Sequence, residues 1–378
     1  MTDKVRTEQA PINWPVTLVL GLTFLAAVTI VPWYGFTYGF SAWAWVFFAI
    51  FLVVNGIGIG SGYHRLWSHR AYEASGLLRV FLAIAGGMAL QNSILVWCIR
   101  HRFHHRDVDD NDKDPYSIGR GFWFAHVGWM IKDYESGKLD WSVVPDLQRD
   151  PVVAWQHRYY LPLVIATNVG LPLLLGWLVG DVFGVFLLAG LLRLVVSHHV
   201  TFFINSLAHM WGSRPYTDEN SARDNWFLAI VTYGEGYHNF HHLFQSDYRN
   251  GVRWWQYDIN KWFIATCAWL GMAKNLKRTP DFKIQRARLA MVFKHAQEKI
   301  ERASNNPRWR ELLEKEYTQF KETVGQWQQL QVQRVQLGRQ KLVDVFEQNA
   351  LTMRYRELER ELKLQRKRVV MLAAQFIG

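Results

Sequence analysis

Half of the 378 residues are hydrophobic and 19 are tryptophan, so the chain can bury a large core in one large domain or two ordinary ones. Its two cysteines, Cys98 and Cys267, show no pairing or metal-binding pattern, which excludes a disulfide framework and points to a reducing compartment. The formal charge of +11 suits anionic headgroups and acidic partners, and the lack of any recognition module sets nucleic acid aside.

In chain order, residues 1–12 form a polar segment. Apolar runs follow at about 15–36, 41–60, 160–180 and 182–207, the last two parted only by Asp181. Runs of about 18–20 apolar residues match the roughly 30 Å hydrocarbon slab of a bilayer, whereas soluble core helices seldom stay uncharged for so long. Four membrane-spanning helices are therefore predicted, in two hairpins. The first run is too long, and follows too many polar residues, for a cleaved signal peptide. Basic residues set the orientation. The links at 37–41 and 180–181 carry no Lys or Arg, while the N-terminus has Lys4 and Arg6 and the blocks 65–158 and beyond 209 are rich in both. Both termini and both polar blocks are thus expected on the cytoplasmic side, which in a bacterium is that of the inner membrane.

Within the first polar block, 77–96 is moderately apolar but carries Arg79, Gln91 and Asn92, which suits a helix lying at the interface. The second block holds Trp254, Trp255, Tyr257, Trp262 and Trp269, as an interfacial belt would. A membrane domain over 13–295 then gives way to a C-terminal extension, 296–378, rich in Glu, Gln, Lys and Arg. Leu313, Tyr317, Phe320, Val324 and Trp327 alternate spacings of four and three, a helical stripe close to heptad spacing. Two readings stay open: a helix packed back on the cytoplasmic domain, or a coiled coil that makes a homo-oligomer. No strand alternation is long enough to build a sheet. The predicted class is all-α: four transmembrane helices, a cytoplasmic helical cap and a C-terminal helical or coiled-coil extension.

The histidines carry the chemistry. Nine of the 14 fall in four groups: His64 and His69; His101, His104 and His105; His209; and His238, His241 and His242. On a helix, positions i, i+3 and i+4 share one face, so each H-x-x-H-H group can point three imidazoles into one volume. The five-residue spacing of His64 and His69 suits a helix end where the last turn loosens. One group would be a weak signal, but three such groups on one side of a membrane predict metal binding. Nine imidazoles exceed the four ligands of a structural zinc, imidazole also suits iron and copper, and no Cys pattern supports a zinc ribbon or an iron–sulfur centre. The Glu-x-x-His pattern of carboxylate-bridged bundles is absent. Two irons with four or five imidazoles each is the natural division.

Gly62-Tyr-His-Arg-Leu-Trp-Ser-His69, Arg100-His-Arg-Phe-His-His105, Asn205-Ser-Leu-Ala-His209 and Gly234-Glu-Gly-Tyr-His-Asn-Phe-His-His242 resemble the motifs of the membrane fatty acid desaturases, in particular the acyl-CoA Δ9 branch. The resemblance covers roughly 15–290. It implies a cytoplasmic cap holding two Fe2+ ions on the nine histidines, with Asn205 reaching one iron through a water. It implies an acyl chain in a bent tunnel, with Gln91, Thr201 and Phe202 at the bend and with Arg100 and Asn92 at or beside the thioester carrier. Phe202 stands where animal members have Trp, so bend geometry and chain-length preference are left open.

Breaking an unactivated C–H bond needs a redox metal and O2, because side chains alone do not supply the oxidant. The expected reaction is O2-dependent insertion of a cis double bond into a long-chain acyl thioester, with CoA as the carrier. The chain carries no haem, flavin or Cys-cluster motif, so electrons are expected from a ferredoxin or from cytochrome b5 with its reductase. Rival readings are hydroxylation of an acyl chain, alkane or sterol on the same scaffold, and a non-enzymatic membrane metal-binding protein. Among the remaining histidines, His198 and His199 are expected to hydrogen-bond within the bundle and His126 to support a metal ligand from behind. The Asp107–Asp114 stretch is a turn whose carboxylates can orient ligand histidines.

Overall fold

The computed structural model describes residues 10–303, 307–337 and 345–374, and most of the polar N-terminal segment lies outside them. The fold is all-α, and its sheet among the described residues is one antiparallel pair, Glu73–Ala74 with Ala273–Lys274. Two compact units are present. The first runs to Arg214 and resumes over Glu219–Arg278; the second comprises Pro215–Asp218 and the chain from Thr279.

Four helices of the first unit are long and apolar enough to cross a membrane: Trp14–Thr37, Ala42–Ser68, Tyr160–Val179 and Val182–His209. Three of the four starts have a capping side chain. Asn13 accepts a bond from the Val16 amide and Ser41 accepts one from Ala44, as N-cap side chains do. Asp181 caps the fourth span through the Gly184 amide and also accepts from the Ser41 amide (3.2 Å). That one carboxylate ties the two short links together, so both hairpins turn at the same end. Large apolar side chains such as Leu22, Leu25, Trp33, Trp177 and Phe183 stay exposed along the spans, as lipid-facing surface would. These features mark a membrane protein.

The second span extends past the predicted limit near 60. Its last eleven residues, Gly58–Ser68, form a π-helix in which every residue is buried. Tight backbone approach explains the glycines there. A Cβ on Gly58 would sit 2.3 Å from the Ala85 carbonyl carbon, and one on Gly86 would sit 2.3 Å from the Tyr63 ring.

The segment read as one interfacial helix over 77–96 is broken. Gly76–Gly87 and Ile94–Arg106 are separate helices. Between them the chain turns through left-handed Leu90 (φ 51°) and Asn92 (φ 75°). Apolar residues on both sides conceal this turn in the sequence, and tertiary contacts hold it.

The second unit contains the helices Asp281–Ala303, Pro307–Leu337 and Val345–Ala374. Its core joins Phe282, Leu289 and Phe293 to Leu313, Phe320, Val324 and Trp327 and to Leu358, Leu362 and Val369. The near-heptad stripe is therefore covered by the extension's own helices, helped by Arg368 donating to Glu316 (2.8 Å). The first helix runs unbroken across the composition change near 295.

Candidate metal centre

Local backbone geometry aims each imidazole. In a π-helix residues five apart sit above one another, and the His69 amide bonds back to the His64 carbonyl at 3.1 Å. The five-residue spacing thus reflects π geometry rather than a frayed end. His101, His104 and His105 lie in the last two turns of the Ile94–Arg106 helix, and His238, His241 and His242 lie on the short helix His238–Leu243. His209 sits in the single turn Leu207–His209 that ends the fourth span.

These residues form two sets. His64, His69, His101, His105 and His241 bring one ring nitrogen each within 4.8 Å of one another, and so do His104, His209, His238 and His242. In the first set Nε2 of His64 and of His105 both lie 2.9 Å from Nε2 of His241, and His69 Nε2 lies 2.8 Å from His101 Nε2. In the second, His238 Nε2 is 3.1 Å from both His209 and His242, and His104 Nε2 is 3.3 Å from His242.

Hydrogen bonding alone does not account for this packing. The His64 Nδ1 faces Glu235 (3.0 Å) and the His104 Nδ1 faces Asp114 (3.0 Å), both carboxylates. The His209 Nδ1 faces Ser221 Oγ (2.7 Å), whose own proton goes to Asp109 (2.5 Å). Each of these Nδ1 atoms must donate, so each Nε2 presents a lone pair. Lone pairs converging in a buried volume suit a bound cation. Imidazole–metal bonds of about 2.0–2.1 Å place neighbouring ligand nitrogens about 3 Å apart, the spacing seen here. The residues fit two metal ions with all-nitrogen protein ligands.

Burial, and then the neighbouring imidazoles, push His101, His105, His241 and His242 well below the usual histidine value, and burial takes His238 down to about 3. These five rings are neutral at pH 7, the form that binds metal. Below about pH 6.5 these rings would take protons in the unfolded chain but not in the folded one, so stability falls with acidification. Thermal unfolding of metal-stripped protein across pH 7.5 to 5 should show a falling midpoint. A flat profile would contradict the burial of neutral rings.

Carboxylates hold the rings from behind. Burial would raise the Glu235 carboxyl, but Arg65 and His64 overcome it and hold it well below the usual range. Arg65, fully buried, donates to Glu235 (2.8 Å), Asp258 and the Tyr248 carbonyl (2.8 Å). Asp114 also accepts from the amides of Asp109 and Tyr116, both at 3.1 Å, and so cannot swing away from His104. Asp114→Asn should weaken metal retention by about 10–100-fold, measured by competition with a chelator; unchanged retention would remove its orienting role.

A cavity of about 270 Å³ lies against both sets, with His64, His101, His104 and His238 in its wall. Gln91, Asn92, Arg100, Thr201, Phe202 and Asn205 all line it. Gln91 donates to Thr201 Oγ1 (2.9 Å) and accepts from Trp97 Nε1 (3.3 Å). Asn92 N donates to the Tyr160 hydroxyl (2.9 Å), and the Arg100 guanidinium lies 5.3 Å from the Trp129 ring centroid. Asn205 belongs to neither histidine set; it ends the helix Arg193–Asn205 on the cavity wall.

Of three further sequence expectations, two hold and one does not. The Asp107–Asp114 turn does orient a ring, through Asp114. His198 and His199 bond within the bundle, to the Ala89 carbonyl (2.9 Å) and to His126 (3.0 Å). His126 does not back a member of either set: its other nitrogen meets Ser206 Oγ at 3.0 Å. The roles of Arg65 and Glu235 went unread although both lie inside quoted motifs, where an acid three residues before a clustered His is the signal. Ser221 carries no sequence signal, because only the fold brings it to His209.

The fold and site define a class: a four-span helical membrane protein with two polyhistidine clusters, each able to hold a metal ion, beside a cavity. The sequence profile described as Fatty acid desaturase matches residues 41–273, and the chain belongs to that family. It is 46% identical over 277 residues to a probable acyl-CoA desaturase of Schizosaccharomyces pombe, covering 73% of this chain and 57% of that one. It is 37% identical over 306 residues to acyl-CoA desaturase 1 of Saccharomyces cerevisiae, covering 80% and 58%. It is 36% identical over 283 residues to an sn-2 palmitoyl-lipid 9-desaturase of Nostoc sp., covering 73% and 94%. The matched stretch spans less than two thirds of the two yeast relatives.

Proposed function

We propose that this chain is an O2-dependent di-iron desaturase that places a cis double bond, at Δ9, in a long-chain acyl thioester, with CoA as the carrier. The observation that carries the reading is the convergence of imidazole lone pairs in two adjoining sets against one apolar-walled cavity. Two Fe2+ ions held by the five-histidine and four-histidine sets, the second aided by Asn205 through a water, would supply with O2 the oxidising power that an unactivated chain demands.

The chain's own residues do the rest. The Gln91–Thr201 pair and Phe202 shape the cavity beside the histidines, so position decides which carbons react. Arg100 and Asn92 offer a cation and an amide to the carrier. The apolar wall keeps water from the reacting carbons. One O2 takes two hydrogens from the acyl chain and two electrons with two protons from outside, leaving a double bond and two waters. The electrons come from a separate protein, a ferredoxin or cytochrome b5 with its reductase, docking on a basic cap. The basic blocks favour the cytoplasmic side for that cap and both termini. A homo-oligomer formed through the extension would use a face other than the buried stripe.

Fatty acids from cells with and without this chain, analysed by mass spectrometry with double-bond mapping, test the reading. A new cis-Δ9 product is expected. A hydroxylated chain would replace desaturase with hydroxylase, and activity of the pure chain with NAD(P)H alone would remove the separate donor.

A further inference from the structure

The turn at 88–92 forms part of the cavity wall and is an unusual piece of backbone. Leu90 and Asn92 both sit in the left-handed region, at φ 51° and 75°. Residues other than glycine persist there only where their surroundings hold them. The Gly76–Gly87 helix ends just before this turn, and carbonyls after a helix end need partners from elsewhere.

Those partners come from the fourth span. Arg193 Nη1 donates to the Met88 carbonyl (3.1 Å), and His198 Nε2 donates to the Ala89 carbonyl (2.9 Å). One turn further on, Thr201 Oγ1 accepts from the Gln91 amide (2.9 Å). One helix thus grips three successive parts of one turn. Arg193 is completely buried at membrane depth, and its remaining bonds go to the Ala189 carbonyl (3.0 Å) and Asn168 Oδ1 (2.7 Å), both neutral. Ionisable groups in such a place are costly and mark function. His198 stacks on Phe202 (5.7 Å between centroids, 17° between planes), and both side chains line the cavity. Displacing the turn would move Leu90, Gln91 and Asn92 together.

We infer that Arg193 and His198 are positioning residues that clasp the 88–92 turn and thereby set which acyl-chain length the cavity accepts. The inference rests on the acyl desaturase reading and adds residues that touch neither metal nor the expected carrier. If the two side chains served folding alone, their loss would lower stability without moving chain-length preference.

The test uses the full-length iron-loaded enzyme with palmitoyl-CoA and stearoyl-CoA in competition, and separately measures binding of each thioester without O2. His198→Leu removes the donor, His198→Gln keeps one, and Arg193→Gln shortens the reach. His198→Leu and Arg193→Gln should each move the ratio of the two products by about threefold or more. The ratio of the two binding constants should move in the same direction, with His198→Gln close to wild type. An unchanged product ratio and binding ratio in folded, iron-loaded His198→Leu overturns the inference, and this variant decides alone if Arg193→Gln does not fold. Wild-type enzyme that binds neither thioester and makes no unsaturated chain defeats the acyl reading, and this inference with it. That outcome is distinct from an unchanged ratio.

Discussion

Replacing His104 with Ala should abolish turnover, by about a hundredfold or more, and should lower bound iron by about one ion per chain. The four-histidine set would drop to three, and the lost ring is the one that Asp114 holds in place. Asp114 would then be left buried without its imidazole partner, although its two amide donors remain. Membrane insertion should be unaffected, because His104 lies outside the four spans. Elemental analysis of purified protein, together with acyl-product analysis, checks both parts. Full activity with two irons in this variant would contradict the division into sets. Loss of both ions would show that they bind as one cooperative unit.

Replacing Arg65 with Met should cost about 3–5 kcal/mol of stability, because Glu235 and Asp258 would keep buried charges without their shared cation. The effect should reach the metal, since the Glu235 carboxylate that Arg65 holds is also the partner of His64 Nδ1. Thermal inactivation in detergent and iron retention should therefore fall together. An exposed pair such as Lys138–Glu135 serves as the comparison, and Lys138→Ala should give no resolvable shift. Equal behaviour of the two variants would show that the Arg65 network is not a buried charge cluster.

The spans were legible because lipid imposes one requirement on every residue that crosses it. A run must be apolar and helical for about 20 residues, and composition displays that directly. The histidine boxes were legible for a related reason: spacings of three and four put rings on one face of a helix whatever the helix packs against. Six of the nine ring positions and the all-α class followed from local rules, while His64, His69 and His209 took their assignment from the family resemblance.

What local rules do not contain is which ring joins which set. His104 and His105 are neighbours in sequence yet fall in different sets, because adjacent residues on a helix point about 100° apart. His241 joins the set of His64, while His242 joins that of His104, by the same geometry. The π-helical end of the second span, the left-handed turn at 88–92 and the Ser221–Asp109 bond to His209 are likewise products of packing. The first two cost local free energy that long-range contacts offset, and the third joins residues far apart in the chain, so no window of sequence displays them. The amino-acid sequence by itself determined the membrane spans, the helical class and the metal-binding residue types. The tertiary structure decided how nine rings divide into two sites and where the cavity meets them, because both depend on side chains that converge from helices far apart in the chain.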